Sequence, residues 1–336
     1  MGRFVEYHPV WSLVILVTAA ALLVLIFGQW SPGFEEVFGR KRVFLNALLN
    51  GVTLGGLYFL VASGFTLIFG LMRNVNLAHG SLYLFGGYIG WVVADATGWW
   101  LLAPLAAFIV VGAVGIAMQV LIFRWMEGQD LRQTLVTIGL SIVVADLLLW
   151  IFGGDTYQVE TPSWLAGPMT LPVLSALRSD GEAVWLTYPK VRLAILAASI
   201  VIGVLIWLVL NRTKIGMMIR AGVDDRDMLS ATGTRIQLIF LLVFAFGAGL
   251  AGLGGVVGGT FQSLQPGEDI KILLASLVVV IVGGVGSIPG AALGALLIGL
   301  AEQFGSVYMP TYAVVLTFVI MVVVLAVRPQ GLLRRS

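Results

Sequence analysis

Residues 44–72 read FLNALLNGVTLGGLYFLVASGFTLIFGLM, residues 73–80 read RNVNLAHG, and residues 81–94 read SLYLFGGYIGWVVA. The first stretch has no charge and is longer than the roughly 20 apolar residues that cross a 30 Å hydrocarbon core. A short polar break follows, and then a second apolar run. This is two membrane passes joined at a polar hinge. A water-soluble core helix is amphipathic, and neither run has a polar face.

Moving outward, the same signal recurs. Further apolar runs occupy residues 10–27, 99–123, 133–152, 191–210, 236–258, 272–284, 288–304 and 312–327. The sequence therefore predicts an all-α, polytopic transmembrane bundle of about 8–10 spans, some of them broken by glycine. Composition agrees. Hydrophobic residues make up 59% of the 336, and charged residues 11%, against roughly 25% charged in a soluble domain. That balance excludes a soluble globular enzyme and a disordered chain. A net charge of +2 gives no basis for nucleic-acid binding, and the lack of cysteine removes thiolate metal sites and disulfides. The 42 glycines suit close helix packing in a bilayer.

Residues 10–27 follow Arg3 as a signal peptide would. The run is long for one, however, and Gly28-Gln29-Trp30 offers no cleavage site of small residues. A retained helix is expected, so residues 1–43 read as an extra helix and linker ahead of a main domain, 44–336. Basic residues orient the spans. With residues 124–132, 211–235 and the C-terminus inside, ten passes put the N-terminus in the cytoplasm as well. Arg40-Lys41-Arg42 then falls outside, against the rule. Residues 153–190 form the longest connection. Pro162, Pro168, Pro172, Pro189, Tyr157, Trp164, Trp185 and Tyr188 suit either an interfacial loop with belt aromatics or a docking surface on the external face.

The motifs of common chemistry are missing. No G-x-x-x-x-G-K-[ST], H-E-x-x-H or G-x-S-x-G occurs, and the histidines are His8 and His79. Any ATP must then be bound by another subunit. Four features remain. In 211–235, NRTKIGMMIRAGVDDRDMLSATGTR, Asp224 or Asp225 can cap a short helix, with Gly233 beyond its end. Met228, Leu229 and Ala231 are its expected exposed apolar residues. Such a helix is either a solvated connector or a coupling element docking into a cytosolic partner. RNVNLAHG brings Asn76 and His79 to a break between spans, which is either a tight turn or a re-entrant segment lining a path. GGVGSIPG, 283–290, is either a tight turn between closely packed helices or a broken helix at a binding site. Asp146 and Glu302 are the acids inside spans, where an ionisable group suggests function.

Together these segments resemble the permeases of ABC importers for branched-chain amino acids and related hydrophobic or amide compounds. The resemblance rests on residues 50–90 quoted above, TIGLSIVV (137–144), IGMMIRAGVDDRDMLSATGT (215–234), VGGVGSIPGAALGALLIGLAE (282–302) and RPQGLL (328–333). Five motifs in order run from residue 44 onward. The run at 10–27 is additional to the family pattern, and WMEGQDLRQ after Arg124 lacks the basic, proline-containing stretch expected there. The resemblance implies a bacterial inner-membrane subunit with no cofactor of its own. It implies a second, homologous permease, two cytosolic ATPases that bind ATP and Mg, and a periplasmic solute-binding protein. Contact with the ATPases falls on Arg220, Ala221, Asp224, Asp225, Arg226, Asp227, Met228, Ala231 and Gly233. Candidate path residues are Asn50, Asn76, His79, Gly80, Gly284, Gly286 and Ser287. Branched-chain amino acids, urea, short amides or aromatic acids are all substrates of such permeases. An ion-coupled secondary transporter is the alternative reading, weakened by having so few acids inside spans.

Overall fold

The computed structural model describes residues 35, 41–72, 75–126, 128–177, 183–231 and 233–333. The expected helix over 10–27 lies outside them. The described elements run in the order α1 (Lys41–Met72), α2 (His79–Thr97), α3 (Leu102–Leu121), α4 (Asp130–Phe152), β1 (Pro168–Leu177), β2 (Ala183–Pro189), α5 (Lys190–Arg212), α6 (Lys214–Asp224), α7 (Arg226–Ala231), α8 (Ile236–Phe261), α9 (Glu268–Gly283), α10 (Ile288–Tyr308) and α11 (Ala313–Val327). Each apolar run from residue 44 onward falls on a helix. Among the described residues, seven helical stretches are long and apolar enough to cross a membrane. The protein is a polytopic helical membrane protein.

Two compact units are distinguished, Asn50–Ala166 with Val191–Ser336, and Met1–Leu49 with Gly167–Lys190. In the larger unit α8 is the central helix. Its glycines let neighbouring backbones approach until a methyl group would not fit. A Cβ on Gly247 would lie 2.8 Å from the Gly64 carbonyl of α1, and one on Gly252 would lie 2.6 Å from Val111 Cγ2 of α3. Gly115 of α3 stands equally close to Ala248. In hydrocarbon there is no hydrophobic drive between helices, so van der Waals contact at short range supplies the attraction. Buried Leu54, Leu57, Val61, Phe65, Val243 and Phe244 fill the space between. The glycines of α8 thus pack an unbroken helix of 26 residues, where the sequence suggested glycine-broken spans. In contrast, α4, α5 and α11 bury 11–17% of their apolar windows within the chain.

Alternation of the helices gathers the connections at two ends of this unit. At one end Trp91 and Phe152 surround Tyr157, and Tyr157 and Leu264 exchange backbone hydrogen bonds of 2.9 and 2.7 Å. At the other end the chain's final segment closes on the α9–α10 turn. Leu332 N donates to Val282 O at 2.8 Å, and Leu333 N to Gly283 O at 3.0 Å. RPQGLL thereby satisfies carbonyls that the end of α9 would leave unpaired.

The smaller unit contains a feature that the loop reading of 153–190 did not contain. β1 and β2 pair antiparallel, from Pro168 opposite Pro189 to Leu177 opposite Ala183, with an irregularity between Leu171 and Ser175. The prolines suited a loop. Here Pro168 and Pro189 stand at the strand ends and Pro172 in the irregular stretch, where no ladder N–H is required.

Candidate coupling site and translocation path

The segment 213–235 folds as two helices. Thr213 Oγ1 accepts the Gly216 N–H at 3.1 Å and caps the start of α6. Ile219 and Gly222 are buried and Met218 half-buried, one face of an amphipathic helix. The chain leaves α6 at Asp225 in an extended conformation. Asp225 Oδ1 accepts the Met228 N–H at 3.0 Å and caps α7, as the short-helix expectation required. Gly233 has φ +81° and its N–H reaches Ser230 O at 2.9 Å. Met228 and Ala231 are exposed, as are Ala221 and Asp225. Leu229 differs from expectation. It is 8% exposed, because the six-residue helix turns that side inward. The side chains of Asp224, Arg226 and Asp227 lie outside the described atoms.

Arg220 fixes this segment to a membrane helix. Its guanidinium donates to the Leu210 carbonyl and, at 3.0 Å, to Asn211 Oδ1, both in the last turn of α5. A cation over the final carbonyls of a helix satisfies orphan acceptors and complements the dipole. The same guanidinium borders a cavity of about 370 Å³, with Gly70, Asn211, Gly286, Ser287 and Leu333 among its other walls. A second, apolar cavity of about 450 Å³ lies between α1, α5 and α10, and shares Trp207, Ile288 and Pro289 with the first. A third, of about 740 Å³, joins Arg124 near the end of α3 to Ser230 and Arg235.

GGVGSIPG is a tight turn. Gly284 and Gly286 have φ +105° and +76°, values that L side chains rarely adopt. Ser287 Oγ accepts the Gly290 N–H at 3.1 Å and starts α10, with Pro289 in the first turn. Gly286 and Ser287 line the 370 Å³ cavity, whereas Gly284 packs against the 330–333 backbone.

The remaining candidate path residues occupy other places. His79 is fully buried, its Nε2 lies 3.0 Å from the Val61 carbonyl, and its ring stands edge-on to Phe65 at 5.3 Å. Asn76 Oδ1 accepts the Ala78 N–H, and Thr137 Oγ1 accepts the Leu77 N–H, both at 3.1 Å. These bonds serve the otherwise orphaned donors at the start of α2. Gly80 presses against the Asp269 backbone. Asn50, on α1, accepts a hydrogen bond from Arg192 of α5. The structure thus brings Gly286 and Ser287 together with Arg220, and leaves Asn50 and the 76–80 group apart from them. Asp146 is exposed on α4.

One contact had no signal in the local sequence. Tyr58 of α1 donates from its hydroxyl to Glu302 Oε2 of α10 at 2.5 Å, across 244 residues. Glu302 drew attention as an intramembrane acid, but Tyr58 is one aromatic in an apolar run.

A helical bundle of this span order, with a capped helix pair tied to its membrane core, is a multi-pass membrane protein by class. The chain matches the family model described as branched-chain amino acid transport system, permease component, over residues 47–325. It belongs to that family of transporter permeases. It is 30% identical over 304 residues to the high-affinity branched-chain amino acid transport system permease protein BraD of Pseudomonas aeruginosa, covering 87% of this chain and 96% of BraD. Identity to the permease protein LivH of Escherichia coli, of the same named system, is also 30%, over 308 residues, with the same coverage. A probable branched-chain amino acid transport permease of Methanocaldococcus jannaschii is 23% identical over 304 residues, 88% of this chain and 92% of its own length. No solved structure matches. The permease family and the seven apolar spans make the chain a multi-pass protein of the inner membrane.

Proposed function

We propose that the chain forms half of the translocation path of an ATP-driven importer for branched-chain amino acids, the solutes named for BraD and LivH. Residues 44–336 are the permease domain, and 1–43 are an addition ahead of it. A second, homologous permease supplies the other half. Two cytosolic ATPases bind ATP and Mg, and a periplasmic solute-binding protein delivers the substrate. Both termini and residues 211–235 face the cytoplasm, where positive charge collects.

The observation that carries this reading is the junction at Arg220. One side chain ties α6 to the end of α5 and borders the cavity walled by Gly286 and Ser287. Force applied to α6–α7 by an ATPase would reach two spans and the α9–α10 turn without passing through a flexible loop. Rigid-body rocking of helices would then alternate access.

Reconstitution tests it. Proteoliposomes carrying this chain, its companion permease and the two ATPases should accumulate radiolabelled leucine when given binding protein outside and MgATP within. Omission of ATP should abolish accumulation, and a protonophore should leave it intact. Accumulation that survives without ATP and collapses with the protonophore would instead establish ion coupling.

A further inference from the structure

Two of the cavities adjoin, sharing Trp207, Ile288 and Pro289, and together make one slot. Its polar end lies at α6, and its apolar end runs up between α1, α5 and α10. On α5 the apolar wall is Leu196, Ser199, Ile200, Gly203, Val204 and Trp207, a single stripe at helical spacing. From Leu196 to Trp207 is eleven steps of this helix, about 17 Å at about 1.5 Å per residue. Half of a bilayer's hydrocarbon core is about 15 Å. The slot is therefore as long as one leaflet is deep. It opens sideways, since Ile200 and Val204 on its lip are 59% and 51% exposed within the chain. The Ser199 hydroxyl already donates to the Ile195 carbonyl at 2.8 Å, so the walls are apolar up to Trp207.

The polar end carries charge without a counter-ion. Arg220 uses Nη1 for the Leu210 carbonyl and Asn211 Oδ1, and its Nε and Nη2 donors bond nothing among the described residues. No carboxylate is among the described residues that line this end. Thr66 of α1 lines it as well. That residue is 1% exposed, and its hydroxyl has no hydrogen-bond partner among the described residues. A buried polar group is left unpaired only at a cost. An oxyanion accepting from Arg220 and Thr66 would satisfy both. Arg212 and Lys214, exposed at the α5–α6 junction, add positive charge outside the slot.

We propose that the slot binds one anionic phospholipid of the cytoplasmic leaflet, with its phosphate at Arg220 and one acyl chain along the α5 stripe. The two chemistries of the ligand match the two ends of the slot. A guanidinium takes phosphate oxygens in a two-pronged bond, and basic pockets between spans on the cytoplasmic side receive anionic headgroups. Trp207 stands at the junction, the level at which indole rings sit in a membrane. The bound lipid would hold the end of α5, α6 and the α9–α10 turn in one arrangement, making coupling depend on lipid charge. The orientation proposed above supplies the name of the leaflet and nothing else in the site.

The test uses the chain purified with its companion permease and ATPases. The complex is delipidated in detergent and titrated with phosphatidylglycerol or phosphatidylcholine, with bound lipid counted by native mass spectrometry. Wild type should hold one phosphatidylglycerol per copy of this chain, about ten-fold or more tighter than phosphatidylcholine. Arg220→Gln should erase that preference, and Arg220→Lys should keep part of it. Thr66→Val should reduce it several-fold. Ala292→Phe fills the apolar end from an exposed position, and should weaken both lipids alike. Equal binding of the two lipids by wild type, or an undiminished preference in Arg220→Gln, would overturn the site. So would displacement by millimolar inorganic phosphate together with unaltered binding in Ala292→Phe, which marks a site for a free anion. Displacement by millimolar leucine would overturn it and give the slot to the substrate. A complex that binds no lipid would overturn it and leave the slot to the companion permease. If Arg220→Gln fails to assemble, Thr66→Val and Ala292→Phe decide, since the first removes a hydroxyl that bonds nothing and the second adds to an exposed residue. No reading here requires transport, so failure of leucine uptake would overturn the importer reading and leave the lipid site standing.

Discussion

At Gly286 two demands meet in one residue. Its φ is +76°, and Gly70 stands so near that a Cβ on Gly70 would lie 2.9 Å from Gly286 Cα. Gly286→Leu adds strain in a left-handed conformation to a side chain that must intrude on the cavity beside Arg220. Leucine uptake should fall to background while the protein still inserts, and uptake at the wild-type rate would show that Gly286 only makes the turn. Gly64 carries packing alone. Gly64→Val would drive its side chain into the Gly247 carbonyl of α8. Overpacking of this kind costs about 1–3 kcal/mol, so the unfolding midpoint of the detergent-solubilised protein should drop. Single residues were legible to different degrees. The glycines and Pro289 of GGVGSIPG declare a turn, because their backbone preferences are local. His79 stood out by its type, yet its acceptor is the Val61 carbonyl, 18 residues away in a featureless apolar run. The Tyr58–Glu302 pair is set wholly by how α1 and α10 cross.

Among elements, the α6–α7 pair joins sequence to function most directly. Replacing Asp225, Arg226 and Asp227 together with Ala removes the cap on the Met228 N–H and the charges beside it. Loss of such a cap costs about 1 kcal/mol of helix stability. ATP hydrolysis stimulated by the binding protein should fall, with insertion unchanged, and normal stimulation would remove α7 from the coupling route. Arg220→Met leaves α7 intact and cuts the tie to α5. It should let ATP be hydrolysed without leucine accumulation, read as a raised ratio of hydrolysis to uptake. The short helix was readable from Asp225 and Gly233, since both cap signals are local. The preceding α6 carries Ile215, Met218 and Ile219 at helical spacing, a pattern that was equally readable. Its lysine, arginine and two glycines made it look like a connector. The seven described spans were legible from hydropathy, whereas the β1–β2 hairpin was hidden by its prolines.

For the whole molecule, the absence of cysteine gives a clean background for reading direction across the bilayer. Met228→Cys and Trp164→Cys introduce single thiols at positions 71% and 61% exposed. A membrane-impermeant maleimide should label Trp164→Cys in the intact spheroplast and Met228→Cys only after lysis. The reverse pattern would invert the proposed topology. α8 has a consequence of another kind. Its glycines from 247 to 258 face α1, α2 and α3 at distances with no room for a methyl group. Every missense change at a glycine codon adds at least one carbon. In a random-mutagenesis screen for strains unable to grow on a limiting branched-chain amino acid, alleles should therefore pile up at 247–259, where the gene has almost no neutral steps. They should be sparse over α11, whose face within the chain is largely uncovered. Second-site suppressors should fall on the partners that could shrink, Val61, Val111 and Phe108, recording in the genetics which helices touch.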